Sequence, residues 1–127
     1  MKSPVYKILA STIDARENCR KSGNTEWFER HSDTIDEIMK TAPSGSGIDS
    51  GTKIDMERST GDKLIFTFGY HHMDESGYYV EWTDHVLTVR PSLQFGIDLK
   101  ISGRDRNDIK EMLYEEYTDW LKEVVEY

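Results

Sequence analysis

The chain has a single cysteine, Cys19, and three prolines in 127 residues. A lone thiol excludes an internal disulfide framework and a cysteine-based zinc site, and it suits a reducing compartment. Long apolar runs are missing too. Hydrophobic residues make up 36% of the chain, and no stretch approaches the roughly 18 apolar residues of a spanning helix. The opening MKSPVYKILASTIDARENC has no signal-peptide apolar block, so neither export nor a membrane partner is expected. Basic residues are in deficit, with 16 against 24 acidic ones and a net charge of −8. That balance argues against binding to a nucleic-acid backbone, which takes Lys and Arg in excess.

What is present amounts to one domain's worth of chain. Residues 4–42 carry helical spacing: Val5, Ile8, Leu9, Thr12, Ile13, Arg16 and Cys19 recur at threes and fours, and Pro4 suits a first turn. Gly23 can take a left-handed C′ position. Asn24 or Thr25 can then cap a second helix with Trp27/Phe28, His31, Ile35, Ile38 and Met39 on one side. PSGSGIDSG, residues 43–51, reads as a helix-to-sheet connection. From 52 to 102 the period becomes two. Ile54 and Met56, then Leu64 to Tyr70, then Tyr78 to Val89, then Leu93 to Ile101 alternate with polar residues, with turns at 59–62 and 74–77. Ile109, Met112, Leu113, Tyr117, Trp120, Leu121 and Val124 form the stripe of a last helix, with Asp105 and Asp108 at its electropositive start. The sequence therefore predicts one α+β domain over 1–127. It has two N-terminal antiparallel helices, a four-stranded antiparallel meander, and a C-terminal helix packed on one face of the sheet.

Two motif matches fail on context. Ile48-Asp49-Ser50-Gly51-Thr52 has the aspartic-protease signature, but Asp49 follows a glycine- and serine-rich stretch where that chemistry needs an apolar strand and a paired carboxylate. Gly51-Thr52-Lys53 inverts the order of a phosphate loop and runs from helix to strand. The histidines invite a metal or general-base reading. His71 and His72 lead into the turn at 74–77, and His85 stands beyond it beside Glu81 and Asp84. Neighbouring strand residues point to opposite faces, however. Counting from the turn sets His72 near Tyr79 or Val80 and His85 opposite Phe66 or Thr67, on the order of 15 Å or more from His71. No cofactor is implied.

Three surfaces are candidates for binding. At the hairpin end Tyr70, Tyr78, Tyr79 and Trp82 surround His71 and His72, and rigid rings with polar tips are enriched at interfaces. Gly103-Arg104-Asp105-Arg106-Asn107-Asp108 opens the last helix, where Arg104, Arg106 and free backbone N–H groups can hold an anion such as a nucleotide phosphate. The third surface is acidic. Residues 1–42 are neutral, whereas 43–103 and 104–127 each carry −4. Glu111, Glu115, Glu116, Asp119, Glu123 and Glu126 meet a single late cation, Lys122. Like charges four apart cost a few tenths of a kcal/mol each, so local helix stability does not explain the choice.

Four blocks together, PSGSGIDSGTKID (43–55), YHHMDESGYYVEWTDH (70–85), Pro91-Ser92-Leu93 and ISGRDRNDIK (101–110), resemble a family of small uncharacterised proteins. That family is encoded mainly by tailed bacteriophages, and the resemblance covers roughly residues 5–120. It implies the cytoplasm of a bacterial host and assigns no catalytic residue. The expectation is a non-enzymatic accessory protein that binds a host or bacterial-defence protein with a basic surface. Glu115 and Asp119 on the last helix and His71, His72, Tyr78, Tyr79 and Trp82 at the hairpin end would make the contacts. A homodimer is compatible with it. The rival readings are a nucleotide or anion binder using Arg104, Arg106 and the 43–53 loop, and a metal-dependent hydrolase using His71, His72 or His85.

Overall fold

The computed structural model describes residues 2–44, 47–48, 51–73, 79–92, 96–103 and 107–126, with residues 72, 73 and 79–82 described by backbone alone. The elements run β1 (Lys2–Pro4), α1 (Val5–Ser22), α2 (Thr25–Met39), β2 (Lys53–Ile54), β3 (Leu64–Met73), β4 (Tyr79–Ser92), β5 (Gly96–Ser102), α3 (Asn107–Lys122) and β6 (Val124–Glu126). This is the α+β arrangement expected from the periodicity, with β2-β3-β4-β5 an antiparallel meander.

The joint between α1 and α2 follows from two residues. Gly23 sits at φ 75°, its N–H donates to the Arg20 carbonyl, and the Asn24 N–H donates to the Cys19 carbonyl at 2.9 Å. That double bond is a Schellman ending, which glycine adopts without a Cβ penalty. The Asn24 side chain then accepts the Trp27 N–H at 3.3 Å and caps α2. The helices return antiparallel: Arg16 Nε donates to Ser32 at 2.8 Å, and its guanidinium lies 4.1 Å from the centre of the Phe28 ring. Trp27, placed on the apolar side of α2 by spacing, is 47% exposed and stacks on His31 and Arg30 instead. Only Ile35 of α2 is fully buried, and the helix packs mainly on α1.

The chain ends depart from the expected pattern. Pro4 is extended (φ −62°, ψ 147°) and pairs with Val124, so it precedes α1 instead of opening its first turn. The Val5 N–H, one of the donors a helix start leaves unsatisfied, reaches the Glu123 carbonyl at 2.9 Å. Helix α3 correspondingly stops at Lys122, and Val124, expected on its apolar stripe, is 58% exposed in β6.

Register in the long hairpin also differs from the turn count. Phe68 pairs with His85 and His72 with Glu81, and the register slips between His72 and Met73, where Met73 meets Tyr79. A bulge inserts an extra residue on one strand, which counting outward from a turn cannot detect. The turn at 74–77 and the segment 93–95 lie outside the described residues.

Leu113, Tyr117, Trp120 and Leu121 of α3 close the core over the sheet. The Tyr117 ring lies 4.7 Å from Phe68, and Trp120 packs edge-on to Phe66 at 5.7 Å. Both polar tips find partners: the Trp120 indole N–H donates to Thr41 at 2.9 Å, and the Tyr117 and Thr52 hydroxyls share a buried bond of 2.9 Å. Burial raises the Tyr117 phenol well above its ordinary value of 10.0, more than the Thr52 bond lowers it. The folded chain therefore keeps this proton when the unfolded chain loses it, and stability falls as pH rises past about 10. Tyr117→Phe leaves the Thr52 hydroxyl without its bond and should cost about 1–3 kcal/mol at neutral pH. Denaturant melts at neutral and alkaline pH check both points: the variant starts lower and loses less than the native chain above pH 10.

Candidate functional site

The histidines do not converge. His85 is 1% exposed on the helix side of the sheet, stacked on Phe68 at 5.1 Å, and its Nδ1–H donates to the Ser102 carbonyl at 2.8 Å. His71 is three residues along β3 from Phe68, hence on the opposite, open face, half-buried. A sheet separates the two rings, so one metal shell cannot use both. His85 is a core residue held by its neighbours, and among the described residues no group of three His, Cys, Asp or Glu side chains comes together. His72, Tyr79 and Trp82 are placed by register, opposite Glu81, Met73 and His71 respectively. Tyr78, Arg104 and Arg106 lie outside the described residues, as do Asp105, Asp49 and Ser50.

The connection before β2 acquires a definite role. The His71 N–H donates to the Gly47 carbonyl at 3.0 Å, and Ile48 forms a bridge to Tyr70. The glycine-rich segment thus continues the edge of β3 past the end of β2. Thr52 of the protease-like motif is buried on Tyr117, a structural placement for a residue that motif would put at a catalytic site.

Four acidic side chains form local ion pairs among the described residues. Glu17, Glu26, Glu37 and Asp55 pair with Arg20, Arg30, Lys40 and Arg58 three or four residues away. The Arg20 hydrogen bond holds the Glu17 carboxyl below its ordinary value, and Glu37 raises Lys40. On α3 the pattern is different. Glu111, Glu115 and Asp119 recur every four residues along the exposed face, and among the described residues none of them forms an ion pair. Glu123 and Glu126, counted with the helix from sequence, belong to the turn after it and to β6.

Among the described residues, three grooves adjoin these elements. One of about 390 Å³ lies between α2 and the terminal strands, with Val5, Ile38 and Val125 as its floor and Asp33, Glu37 and Glu126 at its margin. Thr41, which holds the Trp120 indole, also lines it, so the last turn of α3 borders this groove. Sequence reasoning missed it, because its floor depends on β1 and β6, three-residue strands with no periodic signature. A second groove, about 540 Å³, separates β5 from α3 and contains Leu99, Ile101, Lys110 and Tyr114. The third, about 610 Å³, includes Arg16 and Arg20, but Arg16 is committed to Ser32 and Phe28 and Arg20 to Glu17. Their cations are already engaged, which weakens this groove as an anion site.

No protein-family model matches the chain, and neither a curated protein nor a solved structure matches it.

The docking of the connection on β3 is tested at Gly47. Its φ is 94°, and an added Cβ would lie 2.6 Å from the Tyr70 ring and 2.9 Å from the His71 carbonyl. Gly23 also has a positive φ, yet open space surrounds its Cβ position. Gly47→Ala should therefore lower stability by more than Gly23→Ala, whose cost is backbone strain alone, about 1 kcal/mol. Thermal unfolding of both variants measures the difference, and equal losses would mean that the segment is not held against Tyr70.

Proposed function

We propose that the chain is a non-enzymatic binding protein that engages a basic surface of a host or bacterial-defence protein. Its resemblance to small tailed-phage proteins supplies the setting, a bacterial cytoplasm. The observation that carries the reading is the row Glu111, Glu115 and Asp119: exposed, on one helix face and without ion pairs. Glu17, Glu26, Glu37 and Asp55 are paired locally, whereas these three carboxylates share one helix face with no cation paired to any of them.

An acidic field raises encounter rates with basic surfaces and fixes orientation more than it adds affinity. Affinity needs buried apolar contact, and the α2–β6 groove offers it beside the end of α3. Its floor is aliphatic, and Asp33 and Glu126 at the margin have no ion pair among the described residues, whereas Glu37 is held by Lys40. An apolar segment flanked by Lys or Arg matches that lining. The hairpin end with His71, His72, Tyr78, Tyr79 and Trp82 is a further contact region under this proposal.

Capture of partners from host lysate, comparing the native chain with Glu115→Lys/Asp119→Lys, tests the reading. At low ionic strength the double variant should lose about tenfold in captured partner, and the gap should close as salt screens the charges. Equal capture at low salt would remove the α3 row from the proposal. Ile38→Asp reports on the groove separately, with loss of capture expected at every salt concentration.

A further inference from the structure

The two edges of the sheet are treated differently. The outer edge of β3 is occupied by β2 and then by Gly47 and Ile48. The outer edge of β5 carries no strand among the described residues. An open edge is a row of unpaired backbone donors and acceptors, which proteins normally blunt with a proline, a bulge or an inward-pointing charge. Residues 96–102 have none of these; the charges they carry, Asp98 and Lys100, are of opposite sign and lie on the exposed face. Their pairing with β4 is regular from Ser102 to Gly96, and the inward side chains Ile97 and Leu99 are buried and apolar.

We propose that this edge pairs with a second copy of the chain, antiparallel, about a two-fold axis at Leu99. Parity and charge select that register. Directly opposed residues of antiparallel strands share a face. The axis must therefore pass through a residue if both helix layers are to lie on one side of a continuous sheet. An axis at Asp98 would oppose two aspartates, and one at Lys100 would oppose two lysines. An axis at Leu99 sets Asp98 against the partner's Lys100 and Lys100 against the partner's Asp98, both pairs on the exposed face. On the buried face it sets Ile97 against the partner's Ile101. The β5 sequence is thus self-complementary in charge and in apolar pattern at one register.

The neighbouring groove supports the same occupant. Between β5 and α3 lie Leu99, Ile101, Lys110 and Tyr114, with Glu111 and Glu115 on the helix side, and Tyr114 is 46% exposed, one of few large apolar side chains so open among the described residues. Extending the sheet by a second β5 brings the partner's helix layer alongside this groove, so that Leu99, Ile101 and Tyr114 are approached in the same step as the edge. The two copies meet with identical surfaces, as a closed two-fold dimer requires.

Sedimentation equilibrium of the full chain tests the register through a charge exchange. The native chain should dimerise with a concentration dependence. Asp98→Lys and Lys100→Asp, each alone, turn both attractive pairs repulsive and should raise the dimer dissociation constant by about tenfold or more. An equimolar mixture of the two variants restores opposite charges at both pairs and should form the dimer that neither forms well alone. Both positions are exposed, but Asp98 lies opposite Arg90 of β4, so under monomeric conditions Asp98→Lys should melt slightly lower and Lys100→Asp like the native chain; that measurement separates loss of pairing from loss of fold. A native chain that stays monomeric to millimolar concentration would overturn the proposal. So would single variants that dimerise like the native chain, or a mixture no better than its components.

Discussion

Tyr117 lies wholly inside the protein, and its phenol must find a hydrogen bond there. The Thr52 hydroxyl supplies it, and Thr52 lies between the glycine-rich connection and β2. One bond therefore ties the C-terminal helix to the segment that brings the chain from the helical half into the sheet. Around it the rings stack outward, Tyr117 on Phe68 and Phe68 on His85, so the helix is positioned against β3 and β4 together. Burying such a side chain contributes roughly 1.5–3 kcal/mol, but only while its polar tip is satisfied. The placement of α3, and with it the direction of the acidic face, rests on that condition.

Directing Tyr117 and Leu121 inward directs Glu111, Glu115 and Asp119 outward, because residues four apart share a helix face. The fold thus sorts a charge excess that composition only counts. In α1 and α2 three carboxylates, Glu17, Glu26 and Glu37, are paired with cations one turn away. On α3 the row forms no such pairs among the described residues. Opposed charge on another molecule is one way to relieve its mutual repulsion, as counterions are another. A basic protein surface satisfies that electrostatic demand, and the aliphatic floor of the α2–β6 groove adds what charge alone does not, the exclusion of water.

Legibility followed the length of each element. Helices of 15 to 18 residues and strands of 7 to 14 repeat their apolar pattern often enough to be read, and the order of layers came with them. The Gly23 and Asn24 joint was legible because its chemistry is local. What escaped is long-range. Pairing of Lys2–Pro4 with Val124–Glu126 depends on chain ends meeting, so Pro4 and Val124 were assigned to helices. The bulge at His72/Met73 moved His85 to Phe68, and only the packing shows that His85 belongs to the core. Trp27 followed an apolar spacing, yet it lies exposed near the start of a helix that packs mainly on α1. At the candidate surfaces, Glu115 and Asp119 were legible as an unbalanced run, whereas the groove beside β6 had no signal of its own.

The open β5 edge and the acidic row answer to the same helix. The groove between them is lined by Lys100 and Lys110 together with Glu111 and Glu115 of the acidic row. Two copies at −8 each repel at long range. A dimer through β5 opposes the repulsion with close pairs and main-chain bonds. It also keeps both acidic rows on one side of an extended sheet, fixed relative to each other. In the proposed dimer, two rows on a rigid frame would engage a repeated or two-fold basic target with an effective concentration that a single row cannot reach. The edge would then set the spacing of the rows.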